Sequence, residues 1–464
     1  MDISIVGTGY VGQITGACLA AAGHSITGVD IKPELVARIN SGRTSLYEAG
    51  LEELLAGAVM DGRLRATLDV RTAVINSDIT LVCVGTSRGT LGVDLTQVVT
   101  AAQSIGAALA RKSSYHVVAV KSTVLPGTTE GIVRDIIEGR SGRHLGESWG
   151  LCMNPEFLRE GEAIANALSP DRIVIGASDD RAATVLMQLY AHCDCPKILT
   201  TPRTAEMIKY VTNAFFATLV SFSNEIADLC MTTPAIDMRE VWNGVHLDRR
   251  FKPVTQNPHR PVGLTEYLWH GVGFGGSCFP KDIEALREFG HSLGSATPLL
   301  DAVLAVNASQ PLRLISLLTD EMELAGRTIA VLGLAFKPGT DDLRGSPALP
   351  IIEALTQRGA AVVVHDPIAM PNAQDHPLFA NVTFASHWGT ALHEADACCV
   401  VTAWPEYRAI QPEDFRRLMR RPLVIDGRGM FAPASLATAG VTWRGIGYTP
   451  AVGDTIIDKM EVRT

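Results

Sequence analysis

The chain has 464 residues, enough for two or three domains with well-developed cores. Hydrophobic residues make up 47% of it and charged residues 19%, which excludes a disordered or fibrous protein and fits a globular α/β enzyme. A net charge of −9 argues against nonspecific binding to nucleic acid or an anionic membrane surface.

The chain opens on an apolar run at residues 3–6, not on the charged and long apolar regions of a secretory leader. Gly7-Thr8-Gly9-Tyr10-Val11-Gly12 follows, then a helical stretch over 13–22 that Gly23 and His24 end. Residues 25–29 read as the next strand, closing on Asp30. This is a βαβ unit of about 30 residues whose glycine turn suits a dinucleotide. Gly7 permits the tight turn, Gly9 lets backbone approach a pyrophosphate, and Gly12 lets helix and strand pack closely. Asp30 is placed for a ribose diol and repels a 2′-phosphate, which favours NAD over NADP; Lys32 softens that repulsion.

Further buried strands are expected at 79–84, 117–120, 151–153 and 173–175, with helical patterns between them, predicting a parallel sheet covered on both faces. Asn154-Pro155-Glu156-Phe157-Leu158-Arg159-Glu160 follows one strand end, and its two acids share a face if the segment is helical. His192-Cys193-Asp194-Cys195 lacks a second ligand pair at finger-like spacing, so no metal is expected. From 204 to 231 apolar residues recur at helical spacing without an interior proline or glycine. A helix of that length, roughly 40 Å at 1.5 Å per residue, is expected to bridge two domains and offer a face to a second subunit. Lys209 and Asn213 share one of its faces.

Residues 273–282 read Gly-Phe-Gly-Gly-Ser-Cys-Phe-Pro-Lys-Asp. Here Cys278 sits on a glycine-rich turn with Lys281 and Asp282 placing charge close by. It is the one cysteine of nine with a chemical setting; Cys398 and Cys399 read as part of a buried strand. After Gly326 a second α/β pattern begins, with strands at 328–332, 362–365, 397–402 and 423–426 but no Gly-x-Gly-x-x-Gly. No apolar run reaches the roughly 18 residues of a membrane span. With scattered cysteines suited to a reducing compartment, the expected location is cytoplasmic, without nucleic-acid or membrane partners.

In combination these motifs resemble the UDP-glucose/GDP-mannose dehydrogenase family of nucleotide-sugar 6-dehydrogenases. The glycine fingerprint, residues 121–128, 154–161, 205–214 and 273–282, Gly333 to Lys337, Thr340 to Arg344 and Asp426-Gly427-Arg428 run in the family's order. The resemblance implies two Rossmann-like, doubly wound parallel-sheet domains joined by a long central helix and a small helical domain. The expected divisions are an NAD-binding domain at 1–200, a helical dimerisation domain with the cysteine turn at 201–310, and a nucleotide-sugar-binding domain at 311–464. It implies four-electron oxidation of a sugar C6 alcohol to a carboxylate with two NAD+, in a homodimer built on the central helix.

By resemblance the catalytic residues are Cys278, Lys209, Asp282, Glu156, Asn213 and Thr123. Cofactor contacts are expected from Gly7, Gly9, Tyr10, Val11, Gly12, Asp30, Lys32, Thr86, Thr123, Glu160 and Arg344. The nucleotide sugar is expected at Phe157, Leu158, Arg159, Lys209, Asn213, Arg260, Tyr267, Gly273, Phe336, Lys337 and Arg428. Three departures stand out. Ser87 replaces a usual proline, Gly345 replaces a usual acid, and the stretch 244–270 is longer and richer in proline than the family's loop, with Arg260 its candidate sugar contact. Residues 169–176 look more like the UDP-glucose branch than the GDP-mannose branch. Two alternatives stay open: a two-electron hydroxyacid dehydrogenase with one Rossmann head, and a catalytically silent nucleotide-sugar sensor.

Overall fold

The computed structural model describes residues 1–89, 92–233, 236–248, 251 and 264–448. The chain forms two compact units, one of Met1–Thr212 with Glu284–Ala296, the other of Asn213–Ile283 with Thr297–Thr464. Each is built on its own sheet.

The first unit holds β1 (Asp2–Val6), β2 (Ser25–Val29), β3 (Leu64–Thr67) and β4 (Ile79–Val82). A small antiparallel hairpin, β5 (Arg88–Gly89) with β6 (Gly92–Val93), follows. Then come β7 (His116–Val120), β8 (Trp149–Met153), β9 (Ile173–Ala177) and β10 (Lys197–Thr200). The order across the eight-stranded sheet is β10-β9-β8-β7-β4-β1-β2-β3. Strands β4, β7 and β8 are buried at every position, because helices cover both faces. The sheet departs from a purely parallel one at its edge: β9 pairs antiparallel with β8, and β10 follows β9. Strand order reverses between β1 and β4, so the crevice beyond their carboxyl ends is where this topology places a ligand.

The second unit's sheet is β11 (Thr328–Leu332), β12 (Ala361–His365), β13 (Thr383–Phe384), β14 (Ala397–Val400), β15 (Leu423–Asp426) and β16 (Thr442–Gly445). All pairs are parallel and the order is β13-β12-β11-β14-β15-β16, with its own reversal between β11 and β14. Cys398 and Cys399 are fully buried in β14, as the apolar run indicates.

The long helix runs Pro202–Thr232, 31 residues, and the division between the units falls within it, after Thr212. It and the helix Pro298–Thr319 are long and apolar enough to cross a membrane by length and composition. The long helix nevertheless buries Glu206, Lys209, Asn213, Ser221 and Asn224 against protein, polar packing that lipid would not supply. Phe215, Phe222 and Leu229, seven residues apart, are each about half exposed.

Candidate active site

In the first unit the glycine turn joins β1 to the helix Tyr10–Ala21. Gly7 sits at φ +94°, and a Cβ there would lie 2.8 Å from the backbone of Cys83 and Val84. A Cβ on Gly12 would strike the Gly7 carbonyl at 2.0 Å. At Gly9 a Cβ would meet nothing within 4 Å, so protein packing does not require that glycine. It is the position where close approach of a pyrophosphate does. Asp30, directly after β2, accepts the Thr8 N–H and hydroxyl at 2.9 and 3.0 Å and the Lys32 N–H at 3.2 Å. It is only partly buried, which leaves carboxylate surface for a ribose. The turn therefore fits a dinucleotide, with Tyr10, Val11 and Lys32 beside it.

Glu156 lies in the irregular segment after β8, which is not helical, so Glu156 and Glu160 do not pair across a helix turn. The Glu156 carboxylate accepts the Lys209 ammonium at 2.8 Å and the Leu158 N–H at 2.6 Å. Both members of this ion pair are buried. Burial pushes the Glu156 carboxyl up, but Lys209 and the Leu158 N–H outweigh it and hold the group below its usual value. Arg172 stacks over Phe157 at 3.9 Å, fixing the ring next to Glu156. Arg159 donates its N–H to Asn166 at 3.0 Å. Thr86 and Thr123 follow the carboxyl ends of β4 and β7, both half-buried.

In the second unit Cys278 immediately precedes the helix Phe279–Ser292 and is partly exposed. Its sulfur lies 3.5 Å from the Ser277 hydroxyl, and its carbonyl accepts the Asp282 N–H at 2.9 Å. The Asp282 carboxylate, 1% exposed, accepts Asn213 and Lys281 at 2.6 Å each. The glycines before Cys278 turn out to crowd protein. A Cβ on Gly275 would lie 2.3 Å from the Gly345 carbonyl, and one on Gly276 would lie 2.8 Å from the Phe336 ring. The cysteine turn is thus seated on the loop that follows β11, where Gly345 itself sits at φ +60°, a conformation that favours glycine.

Other predicted residues gather at the strand ends of the second sheet. Arg428 donates to the Val401 carbonyl at 2.7 Å and to the Gly273 carbonyl at 3.4 Å. Burial pulls its guanidinium down to about 10, partly offset by Asp426, so it stays charged at neutral pH. Lys337 lies over the Phe336 ring at 5.7 Å. Tyr267 stacks on Phe216 at 4.2 Å. Arg344 forms a two-pronged pair with Asp342 at 2.8 to 3.0 Å. Arg260 lies outside the described residues.

Two buried acids with several hydrogen-bond partners carry no motif. Asp366, at the end of β12, is 2% exposed and accepts the N–H groups of Leu334 and Ala335, the turn after β11, together with Trp404 Nε1. Glu48 accepts the Tyr10 hydroxyl and the N–H groups of Gly161 and Ala163. Its partners are up to 115 residues away, and its one local sign was an acid in an otherwise ordinary loop.

A glycine turn suited to NAD, a second nucleotide-type sheet and a partly exposed cysteine at a helix start define a class of NAD-binding oxidoreductases. Residues 1–194 match the NAD binding domain of the UDP-glucose/GDP-mannose dehydrogenase family, 203–309 its central domain and 330–433 its UDP binding domain. UDP-glucose 6-dehydrogenase AglM of Haloferax volcanii is 41% identical over 92% of this chain and 96% of its own. GDP-mannose 6-dehydrogenase of Azotobacter vinelandii is 38% identical over 81% of this chain and 83% of its own. The structure of a UDP-glucose dehydrogenase from Pyrobaculum islandicum superposes with a TM-score of 0.87 at 39% identity, covering 96% of this chain and 98% of that one. The chain belongs to the UDP-glucose/GDP-mannose dehydrogenase family, the nucleotide-sugar 6-dehydrogenases, and its cofactor is NAD.

Proposed function

We propose that the chain oxidises UDP-glucose to UDP-glucuronate, consuming two NAD+ and one water per sugar. The observation that carries the reading is Cys278. Seven of the nine cysteines are buried, whereas this one is partly exposed at the start of a helix whose Asp282 is bonded to Asn213. The preference for UDP-glucose over GDP-mannose rests on relatives of the first kind matching nearly the whole chain and those of the second about four fifths of it.

NAD+, when bound at the turn formed by Gly7, Gly9, Tyr10, Val11 and Gly12, with Asp30, Lys32, Thr86, Thr123, Glu160 and Arg344, supplies the hydride acceptor for both oxidations. In this reading a water held by Asp282 takes the C6 hydroxyl proton and relays it to that carboxylate, while the Lys209 ammonium stabilises the alkoxide as it forms. The Cys278 thiolate adds to the aldehyde carbon, forming a C–S bond and a thiohemiacetal that cannot diffuse away between the two oxidations. Asn213 and Lys209 donate to the oxygen that carries charge. The second oxidation leaves a thioester. Water, relieved of a proton by Glu156, adds to its carbonyl and expels the thiolate. Lys337 and Arg428 supply positive charge for the diphosphate, and Phe157, Leu158, Arg159, Tyr267, Gly273 and Phe336 shape the site.

The test is to mix the protein with NAD+ and a panel of nucleotide sugars and count NADH per sugar consumed. Two NADH from UDP-glucose are expected. One would mean release at the aldehyde, and none from any sugar would indicate a binding protein.

We further place the enzyme in the cytoplasm as a homodimer, a second copy covering the half-exposed Phe215, Phe222 and Leu229 of the long helix. The nine cysteines, none in a disulfide, suit that compartment. Light scattering of the wild type and of Phe222→Glu should give a dimer and a monomer; a monomeric wild type overturns the dimer.

A further inference from the structure

The segment 154–163 carries Glu156, yet it has no regular structure over 154–159 to hold it. Its first part is fastened by Asn154, which donates to the Val174 carbonyl at 2.9 Å and accepts the Tyr190 hydroxyl at 2.6 Å. Its last part is fastened by Glu48. One Glu48 oxygen accepts the Gly161 N–H at 2.8 Å, where φ is +83°, and the other accepts the Ala163 N–H at 2.7 Å. The first oxygen also accepts the Tyr10 hydroxyl at 2.5 Å. Glu48 is 7% exposed, and among the described residues no cation pairs with it. A buried carboxylate held only by neutral donors loses much of its stabilisation if one is removed, so each of the three contacts matters to the others.

Tyr10 belongs to the dinucleotide turn. Its ring leaves the first residue of the helix that the turn opens, and its hydroxyl is directed away to Glu48. A second thread runs alongside. Gln13 donates to the Thr8 carbonyl at 2.8 Å and accepts the Thr44 hydroxyl at 2.8 Å, so the segment carrying Glu48 is tied to the same turn twice. Any shift of the turn is thereby passed to the far end of the Glu156 segment through one side chain.

We propose that Glu48 is a positioning residue that couples occupancy of the dinucleotide turn, through Tyr10, to the placement of the segment carrying Glu156. The inference rests on the cofactor site and on the role proposed for Glu156, and goes beyond both by naming the link between them. Its consequence is that the hydrolytic group is set in place only while the cofactor turn is filled.

The test is hydrogen exchange of the whole protein with and without NAD+, for the wild type, Tyr10→Phe, Glu48→Gln and the double variant. In the wild type NAD+ should slow exchange over residues 7–13 and, about tenfold, over 154–163. Both single variants should keep the protection over 7–13 and lose it over 154–163. The double variant should be no worse than either, because both changes cut one thread. In turnover, Tyr10→Phe should lower kcat about tenfold while KM for NAD+ stays within about threefold, a split that general destabilisation would not produce. Protection over 154–163 that survives in the variants overturns the coupling, as does a raised KM with kcat intact or losses that multiply in the double variant. Absence of NAD+ protection at 7–13 in the wild type would instead sink the cofactor reading beneath it, and with it the link.

Discussion

Cys278→Ala is expected to abolish steady formation of the acid, lowering kcat by at least about 10³-fold, as loss of a covalent nucleophile does. The substitution is mild structurally: the side chain is small and partly exposed, and its sulfur lies 3.5 Å from the Ser277 hydroxyl. The thermal midpoint should therefore move by no more than about 1 °C, a shift worth about 1 kcal/mol for a chain of this size. A first oxidation remains open to the variant, so a single slow release of one NADH per sugar is compatible with the mechanism. Unchanged production of two NADH per sugar is not, and that result would show that the four-electron oxidation proceeds without a covalent bond to Cys278.

Glu156→Gln should fail at a different step. Without its carboxylate the thioester has no base to activate water, so kcat should fall about 10²-fold or more. Two NADH per active site should appear rapidly before turnover stalls. Mass spectrometry of the peptide containing Cys278 should then show the sugar nucleotide attached through sulfur. A matching loss of rate with no adduct would assign Glu156 to the ion pair alone. Stability should drop too, by roughly 3–5 kcal/mol at most, because the buried Lys209 ammonium loses its counter-charge. The sign with pH follows from the depressed Glu156 carboxyl. In the wild type the pair's contribution is present above the unfolded value of about 4.5 and fades as pH falls through the lower folded value. The variant should lack that part of the acid limb.

The elements that could be read from the sequence are those with long or strongly apolar signals. The long helix is expected at 204–231 and found at Pro202–Thr232, and the glycine turn, β1, β2, β11 and β15 fall where apolar runs and turn residues put them. Short edge strands left little trace: β13 has two residues, and β10 exposes Ile198 and Leu199 about half-way. The antiparallel setting of β9 was likewise illegible, since a four- or five-residue buried strand looks the same in either direction. Pro311 lies inside the helix Pro298–Thr319, where local preference reads a break and packing overrides it. At the site, residues in motifs were visible and residues acting through long-range bonds were not. Glu48 reaches Ala163 and Asp366 reaches Leu334, contacts that only the folded chain creates.

Asp366 has a wider meaning for how two sheets of one topology take different cargo. In the first sheet the corresponding acid, Asp30, keeps part of its surface open, and the glycine at position 9 leaves the turn approachable. In the second, a fully enclosed carboxylate already sits against the turn's amides, a built-in anion in the place where a phosphate would otherwise seek donors. A second negative group arriving there meets repulsion and finds the N–H groups taken. In the proposed reading a diphosphate bound by this half draws its charge balance from the long cationic side chains of Lys337 and Arg428, and an arginine is the harder of the two to neutralise. On the proposed reading Asp366 acts as an internal competitor for the amides of the second turn, and turning that sheet towards a dinucleotide would require its removal.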